Sequence, residues 1–197
     1  MLAQKLQKQI EFIEELDKLK SVVRRTRLLD NSRYENDAEH SWHIATMAIA
    51  LSEYANEPVD ILKVVKMLLI HDIPEIDAGD AFLYDEKSRE RNKESEKRAA
   101  IRIFGLLPGD ASKELVELWE EFEKKATPEA KFAGALDRLE PLFQNYKTCG
   151  YAWKKHGITR SQVMKMNACI EHGSKTLWEF AGRLIDESVE KGYLKDA

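Results

Sequence analysis

Little in this chain can staple a fold, break a helix or cross a membrane. Its 197 residues include 2 cysteines, Cys149 and Cys169, with no CxxC spacing. That argues against a thiolate zinc knot and a disulfide scaffold, and leaves two free thiols expected to be buried or half-buried. Only 5 prolines and 9 glycines are available to interrupt long helices. No apolar stretch approaches the ~20 residues that span a bilayer. The N-terminal Met1-Leu2-Ala3-Gln4-Lys5 lacks the apolar core of a secretion signal. These absences predict a cytoplasmic protein with no membrane partner. A basic excess is missing too: the formal net charge is −4, which argues against a nucleic-acid polymer as partner. No segment sustains period-two alternation, so no sheet is expected.

Helical periodicity is what the chain has instead. Leu2, Leu6, Ile10, Ile13, Leu16 and Leu19 recur at three and four and predict one buried face of a first helix. Asp30-Asn31-Ser32 reads as a turn, and Asp37 as the N-cap of a helix carrying Trp42, Ala45, Ile49 and Tyr54. Pro58 opens a helix with Ile61, Val64, Val65, Leu68 and Leu69 facing inward. From Asp85 to Arg98 charges of both signs crowd together, the pattern of a solvated helix face. Thr127-Pro128 is a helix start with proline at the first helical position. Trp153-Lys154-Lys155-His156 reads as a solvated loop, and Thr159 opens a last helical stretch, interrupted near Gly173, to about residue 191. The prediction is an all-α globule of about six to eight helices in one domain, 1–197.

Charged groups in apolar surroundings single out a site. The run Val64-Val65-Lys66-Met67-Leu68-Leu69-Ile70 delivers His71 and Asp72 towards the interior, where an uncompensated carboxylate is costly. His40 lies upstream in Asp37-Ala38-Glu39-His40-Ser41-Trp42-His43, and Asp137 lies far downstream in an apolar-patterned helix, four residues before Pro141. Two imidazoles and two carboxylates can hold one divalent cation and neutralise it. Such a donor set suits Mn, Fe, Co, Ni or Zn better than Mg. Taken singly, His40 also reads as a solvated helix-start histidine, and Asp137 as a surface partner of Arg138. His43, one turn after His40, reads as support or packing. Glu39 is positioned in sequence to hydrogen-bond a ligand histidine.

These blocks resemble the HD-domain phosphohydrolase superfamily, in the branch of bacterial 5′-deoxynucleotidases. The words that carry the resemblance are Leu19-Lys20-Ser21-Val22-Val23-Arg24-Arg25-Thr26, Glu39-His40-Ser41-Trp42, His71-Asp72-Ile73-Pro74-Glu75 continuing to Gly79-Asp80, and Ala135-Leu136-Asp137-Arg138-Leu139. The resemblance implies an HD-domain helical bundle with its metal-site core at about 16–145 and C-terminal helices at about 159–191. It implies one divalent metal held by His40, His71, Asp72 and Asp137. It implies hydrolysis of the 5′-phosphate of a (deoxy)nucleoside monophosphate by metal-activated water. Glu75 and Asp80 match positions that orient or activate the water and contact substrate. Arg25, or Arg24 by a one-residue gap, matches a contact to substrate phosphate. A homodimer is expected from the same source. The tryptophan that helps those enzymes recognise the sugar has no counterpart here, where Thr26, Arg27 and Leu28 follow. Other phosphate esters, such as cyclic nucleotides or nucleoside polyphosphates, remain alternatives, as does a helical regulatory module with a structural metal.

Overall fold

A computed structural model of the protein describes residues 2–197, apart from the side chains of Glu86 and Arg89. Eleven α-helical segments are present among the described residues, eight of them eight residues or longer. They are α1 (Leu2–Leu16), α2 (Asp37–Leu51), α3 (Ile61–Ile70), α4 (Glu75–Ala78), α5 (Glu86–Phe104), α6 (Asp110–Lys124), α7 (Pro128–Lys147), α8 (Tyr151–His156), α9 (Arg160–Asn167), α10 (Ile170–Gly173) and α11 (Lys175–Glu190).

Helix α7 is the axis on which the others pack. Thr127 caps its N-terminus by accepting from the Ala130 amide, and Pro128 occupies the first turn, where no amide proton is needed. Phe132, Ala133, Ala135 and Leu136 are fully enclosed, which leaves apolar surface on several sides of the helix to be covered. Helices α2, α3, α6, α10 and α11 supply that cover. The close approach of α10 depends on Gly173. A Cβ there would collide with the Lys131 carbonyl and lie 2.8 Å from Ala135 Cβ.

One small sheet departs from the all-helical expectation. Strands β1 (Val23–Arg27) and β2 (Tyr34–Asn36) pair antiparallel, with Val23 opposite Asn36 and Arg27 opposite Tyr34. Asn31 turns the connecting loop with φ 60°, and the Asp30 carboxylate accepts from the Ser32 amide at 2.9 Å. The strand Val-Arg-Arg-Thr-Arg has no apolar alternation because its inward residues are Arg24 and Thr26.

Local assignments shift in instructive ways. Asn36, not Asp37, caps α2: its side chain accepts from the Glu39 amide at 3.0 Å, and Glu39 accepts from the Asn36 amide at 3.2 Å. Asp37 is thereby pulled into the interior. Ile44, Ala45 and Ala48 face the core from α2, whereas Trp42 and Ile49 stay exposed, as does Leu69 on α3. The apolar stripe of α1 meets the core only at its C-terminal end, through Leu16, while Leu2, Leu6 and Ile13 are exposed. Residues 151–156 form helix α8 with Trp153 buried, not a solvated loop. Both cysteines are free, as expected, but exposed rather than buried. No helix among the described residues is long and apolar enough to cross a membrane.

Candidate metal centre

Three elements bring the four sequence-selected side chains together. His40 sits one turn into α2, His71 ends α3 as its C-cap with Asp72 next, and Asp137 lies midway along α7. His40 Nε2 is 3.2 Å from Asp137 Oδ1. His71 Nε2 is 3.6 Å from the same oxygen and 3.0 Å from Asp72 Oδ1. One donor atom from each of His40, His71 and Asp72 falls within a 4.8 Å sphere of mutual distances.

The imidazole orientations are fixed from behind. His71 Nδ1 lies 2.9 Å from the Leu68 carbonyl, which can only accept, so that nitrogen carries the proton. His40 Nδ1 lies 3.2 Å from Glu140 Oε2. Both Nε2 lone pairs therefore point at Asp137, and acceptors facing one another at this distance need a cation or an added proton between them. His71 Nε2 is buried and aligned with no hydrogen-bond partner. Burial and Arg24 disfavour charge on His40, yet Asp137 and Glu140 push its imidazole up to about 10. The set of two nitrogens and two carboxylates thus fits a divalent ion.

The support behind His40 escaped the sequence reading. Glu140, fully buried one turn after Asp137, accepts from His40 and holds His43 Nδ1 at 3.1 Å from its other oxygen. Gln144 donates to Glu140 and, at 2.8 Å, to Glu35. Burial opposes ionisation of Glu140, but the two histidines hold its carboxyl down at about 2. Glu35 is pushed the other way, to about 7, by burial and by Glu140. Glu39 takes no part. It pairs with Arg33 on the surface, with Arg33 Nη1 2.8 Å from its Oε2. His43 faces Glu140, in keeping with support or packing.

In front of these four side chains lies a second set of charges. Arg24 Nη1 donates to Asp72 Oδ2 at 2.9 Å and to Asp37 Oδ1 at 3.2 Å, and its Nε is 3.7 Å from Glu35. Asp37, Glu75 and Asp80 bring carboxylate oxygens within 4.8 Å of one another. Pro74 precedes α4 and Gly79, with φ 75°, ends it, which sets Glu75 and Asp80 on one short arc. Burial and neighbouring carboxylates push Asp37 to about 7 and Glu75 well above the usual carboxylate range. Burial also raises Asp80. Asp37 Oδ2 and Glu75 Oε2 are buried without a hydrogen-bond partner among the described residues. Asp37 was read only as a cap, and nothing local marked it as part of this group.

The two charge sets open into one cavity of about 420 Å³, a volume suited to a small molecule. Arg24, Arg25, Glu75, Asp80, Tyr84 and Asp137 line it. Arg25 is exposed and makes no ion pair among the described residues.

The chain is similar to several known proteins. The profile of the HD domain matches residues 16–178. A crystal structure of a protein described as a predicted metal-dependent phosphohydrolase, from Magnetospirillum magnetotacticum MS-1, is 54% identical, with TM-score 0.93 and coverage of 98% of this chain and 96% of that one. A bovine protein named 5′-deoxynucleotidase HDDC2 is 33% identical over 136 residues, 68% of this chain. That match spans 65% of the bovine protein, just under two thirds of its length. The Schizosaccharomyces pombe 5′-deoxynucleotidase hdd1 is 28% identical over 95% of this chain and 87% of its own. A conserved hypothetical protein from Pyrococcus furiosus, 23% identical with TM-score 0.61, shares the fold.

Proposed function

The chain belongs to the HD-domain family, and from that premise we propose that it is a metal-dependent phosphohydrolase that removes the 5′-phosphate from (deoxy)nucleoside monophosphates. The observation that carries the reading is the pair of Nε2 lone pairs, from His40 and His71, turned on one Asp137 oxygen beside a charged cavity. The name shared by the animal and yeast relatives supports the substrate class.

His40, His71, Asp72 and Asp137 would hold one divalent transition ion, Mn, Co, Fe, Ni or Zn, in preference to Mg. When bound, that ion supplies charge neutralisation at the phosphoryl group and a more acidic water. The protein's own groups do the positioning. Arg24 is engaged by Asp72, Asp37 and Glu35, so it fixes the ligand carboxylate and presents positive charge at the cavity floor. Arg25, on the open side of β1, follows the substrate phosphate. Glu75, ionised once a bound cation offsets the neighbouring carboxylates, orients the attacking water and takes its proton, and Asp80, whose carboxyl burial raises above its ordinary value, supplies a proton to the leaving 5′-oxygen. A purely structural metal has no use for these carboxylates.

The whole chain, 1–197, acts as one unit in this reading, since α10 and α11 complete the cover of α7. Two exposed free thiols suit a reducing, cytoplasmic compartment. The exposed part of the α1 stripe, Leu2, Leu6, Ile10 and Ile13, suits a second copy of the chain in a homodimer. The test of function is phosphate release from a panel of ribo- and deoxynucleoside 5′-monophosphates, assayed with Mn, Co or Mg after chelation. Release from deoxynucleotides with Mn or Co, and none in chelator, is expected. Turnover by fully demetallated protein, or none on any nucleotide with any metal, overturns the proposal.

A further inference from the structure

Helices α6 and α7 meet at a tight corner, and its first residue is Lys125. This lysine is the C-cap of α6 in the left-handed region, φ 48° and ψ 34°, a conformation that a side chain bearing a Cβ rarely adopts. The conformation turns the side chain back over the helix end. Its Nζ lies 2.8 Å from the centre of the Phe122 ring, and that ring meets the His71 ring edge-on at 4.9 Å between centroids. The lysine stem rests on α7 at Gly134. A Cβ on Gly134 would stand 3.0 Å from both Cδ and Cε of Lys125. Glycine is disfavoured in a helix interior relative to alanine, and here it makes the room that the stem occupies.

Lys125 lines the same cavity as Asp72, Asp137 and the two hairpin arginines. It has no hydrogen-bonded or ion-paired partner among the described residues. Burial pulls its ammonium down to about 8, with Asp137 as the foremost charge holding it up. A half-buried ammonium with no hydrogen-bonded carboxylate is costly. A strained cap, an interior glycine and an aromatic face nonetheless keep it where it is. Structural stability gives no reason for that combination, whereas an anion entering the cavity does.

We propose that Lys125 is a phosphate-binding residue, donating to a phosphoryl oxygen of the substrate from the α6–α7 corner, across the cavity from the arginines of β1. The assignment rests on the reading of the substrate as a phosphate ester, and it adds a cation that neither the sequence blocks nor the metal ligands include.

The probe is inorganic phosphate, titrated calorimetrically into metal-loaded protein. Lys125→Met keeps the apolar stem and removes the charge. Phosphate affinity should fall at least tenfold, with bound metal unchanged. Lys125→Gln is read in the same way should the methionine variant not fold. In the double variant Lys125→Ala, Gly134→Lys the new side chain starts from α7 in the vacated space, and it should recover phosphate affinity relative to Lys125→Ala alone. A folded, metal-replete Lys125→Met or Lys125→Gln protein that binds phosphate within twofold of wild type overturns the proposal. Failure of the nucleotidase reading is distinguishable, because it would show as absent turnover in the wild-type protein whatever the phosphate affinities are.

Discussion

Replacing Glu140 with glutamine isolates the support behind the proposed metal site. The side chain keeps its shape and sits beyond reach of any substrate, fully buried in α7. What changes is the charge that faces His40 Nδ1 at 3.2 Å and His43 Nδ1 at 3.1 Å. A carboxylate there locks the His40 proton on Nδ1 and raises the basicity of Nε2. A glutamine amide offers one weaker acceptor, and its nitrogen must face either a histidine or the Gln144 donor. Losses of this kind lower metal affinity by about 10- to 100-fold, or about 1.4 to 2.8 kcal/mol at 1.4 kcal/mol per decade. Competition between the protein and a chelating dye at graded free Mn or Zn measures the constant directly. A melting curve on the same samples separates metal loss from unfolding. Glu140→Gln protein that is folded and binds metal within twofold of wild type refutes the proposed arrangement of His40.

Two further outcomes follow from the same geometry. Glu75→Gln should keep its metal and lose turnover by about 10²- to 10⁴-fold; undiminished phosphate release from nucleotides would remove Glu75 from the water-positioning role. The pH dependence of stability tests the buried carboxyls of the metal-free protein. Glu35 is pushed up to about 7 by burial and Glu140, against an unfolded value near 4.3, so the fold binds its proton more tightly. Its contribution is therefore complete below about pH 4 and is lost as pH rises through about 7, a change of order a few kcal/mol at 1.36 kcal/mol per unit. Asp37, also pushed to about 7, contributes in the same window. Denaturant melts from pH 4 to pH 8 should show a shallower decline in Glu35→Gln than in wild type, and an identical decline would contradict the assigned protonation.

The four side chains that converge between α2, α3 and α7 stood out in sequence because His71-Asp72 and Asp137 each carry a local conflict. His71-Asp72 ends an apolar run, and Asp137 interrupts an apolar helix face. The hairpin was not legible, because β1 earns its place through Arg24 reaching Asp72 and Asp37 rather than through apolar alternation. Glu39 looked like the partner of His40 because it is adjacent in sequence, yet an adjacent helical residue points elsewhere. The partner is Glu140, a hundred residues away on a packed neighbour, and only tertiary contact selects it. The stripe of α1 shows the opposite failure. Periodicity reports that a face is apolar but not which surface covers it. Asp37 illustrates a third case, in which a residue read as a cap takes on new meaning once Asn36 occupies the cap position.

One divalent ion, if held as proposed, sits between α2, the end of α3 and α7. Crystals of the protein grown with Mn, with data collected at the manganese absorption edge, locate it by anomalous scattering. The account predicts a single peak about 2.0–2.3 Å from His40 Nε2, His71 Nε2, Asp72 and Asp137. A peak among Asp37, Glu75 and Asp80 with the histidines unligated, or no peak at full soaking, contradicts it.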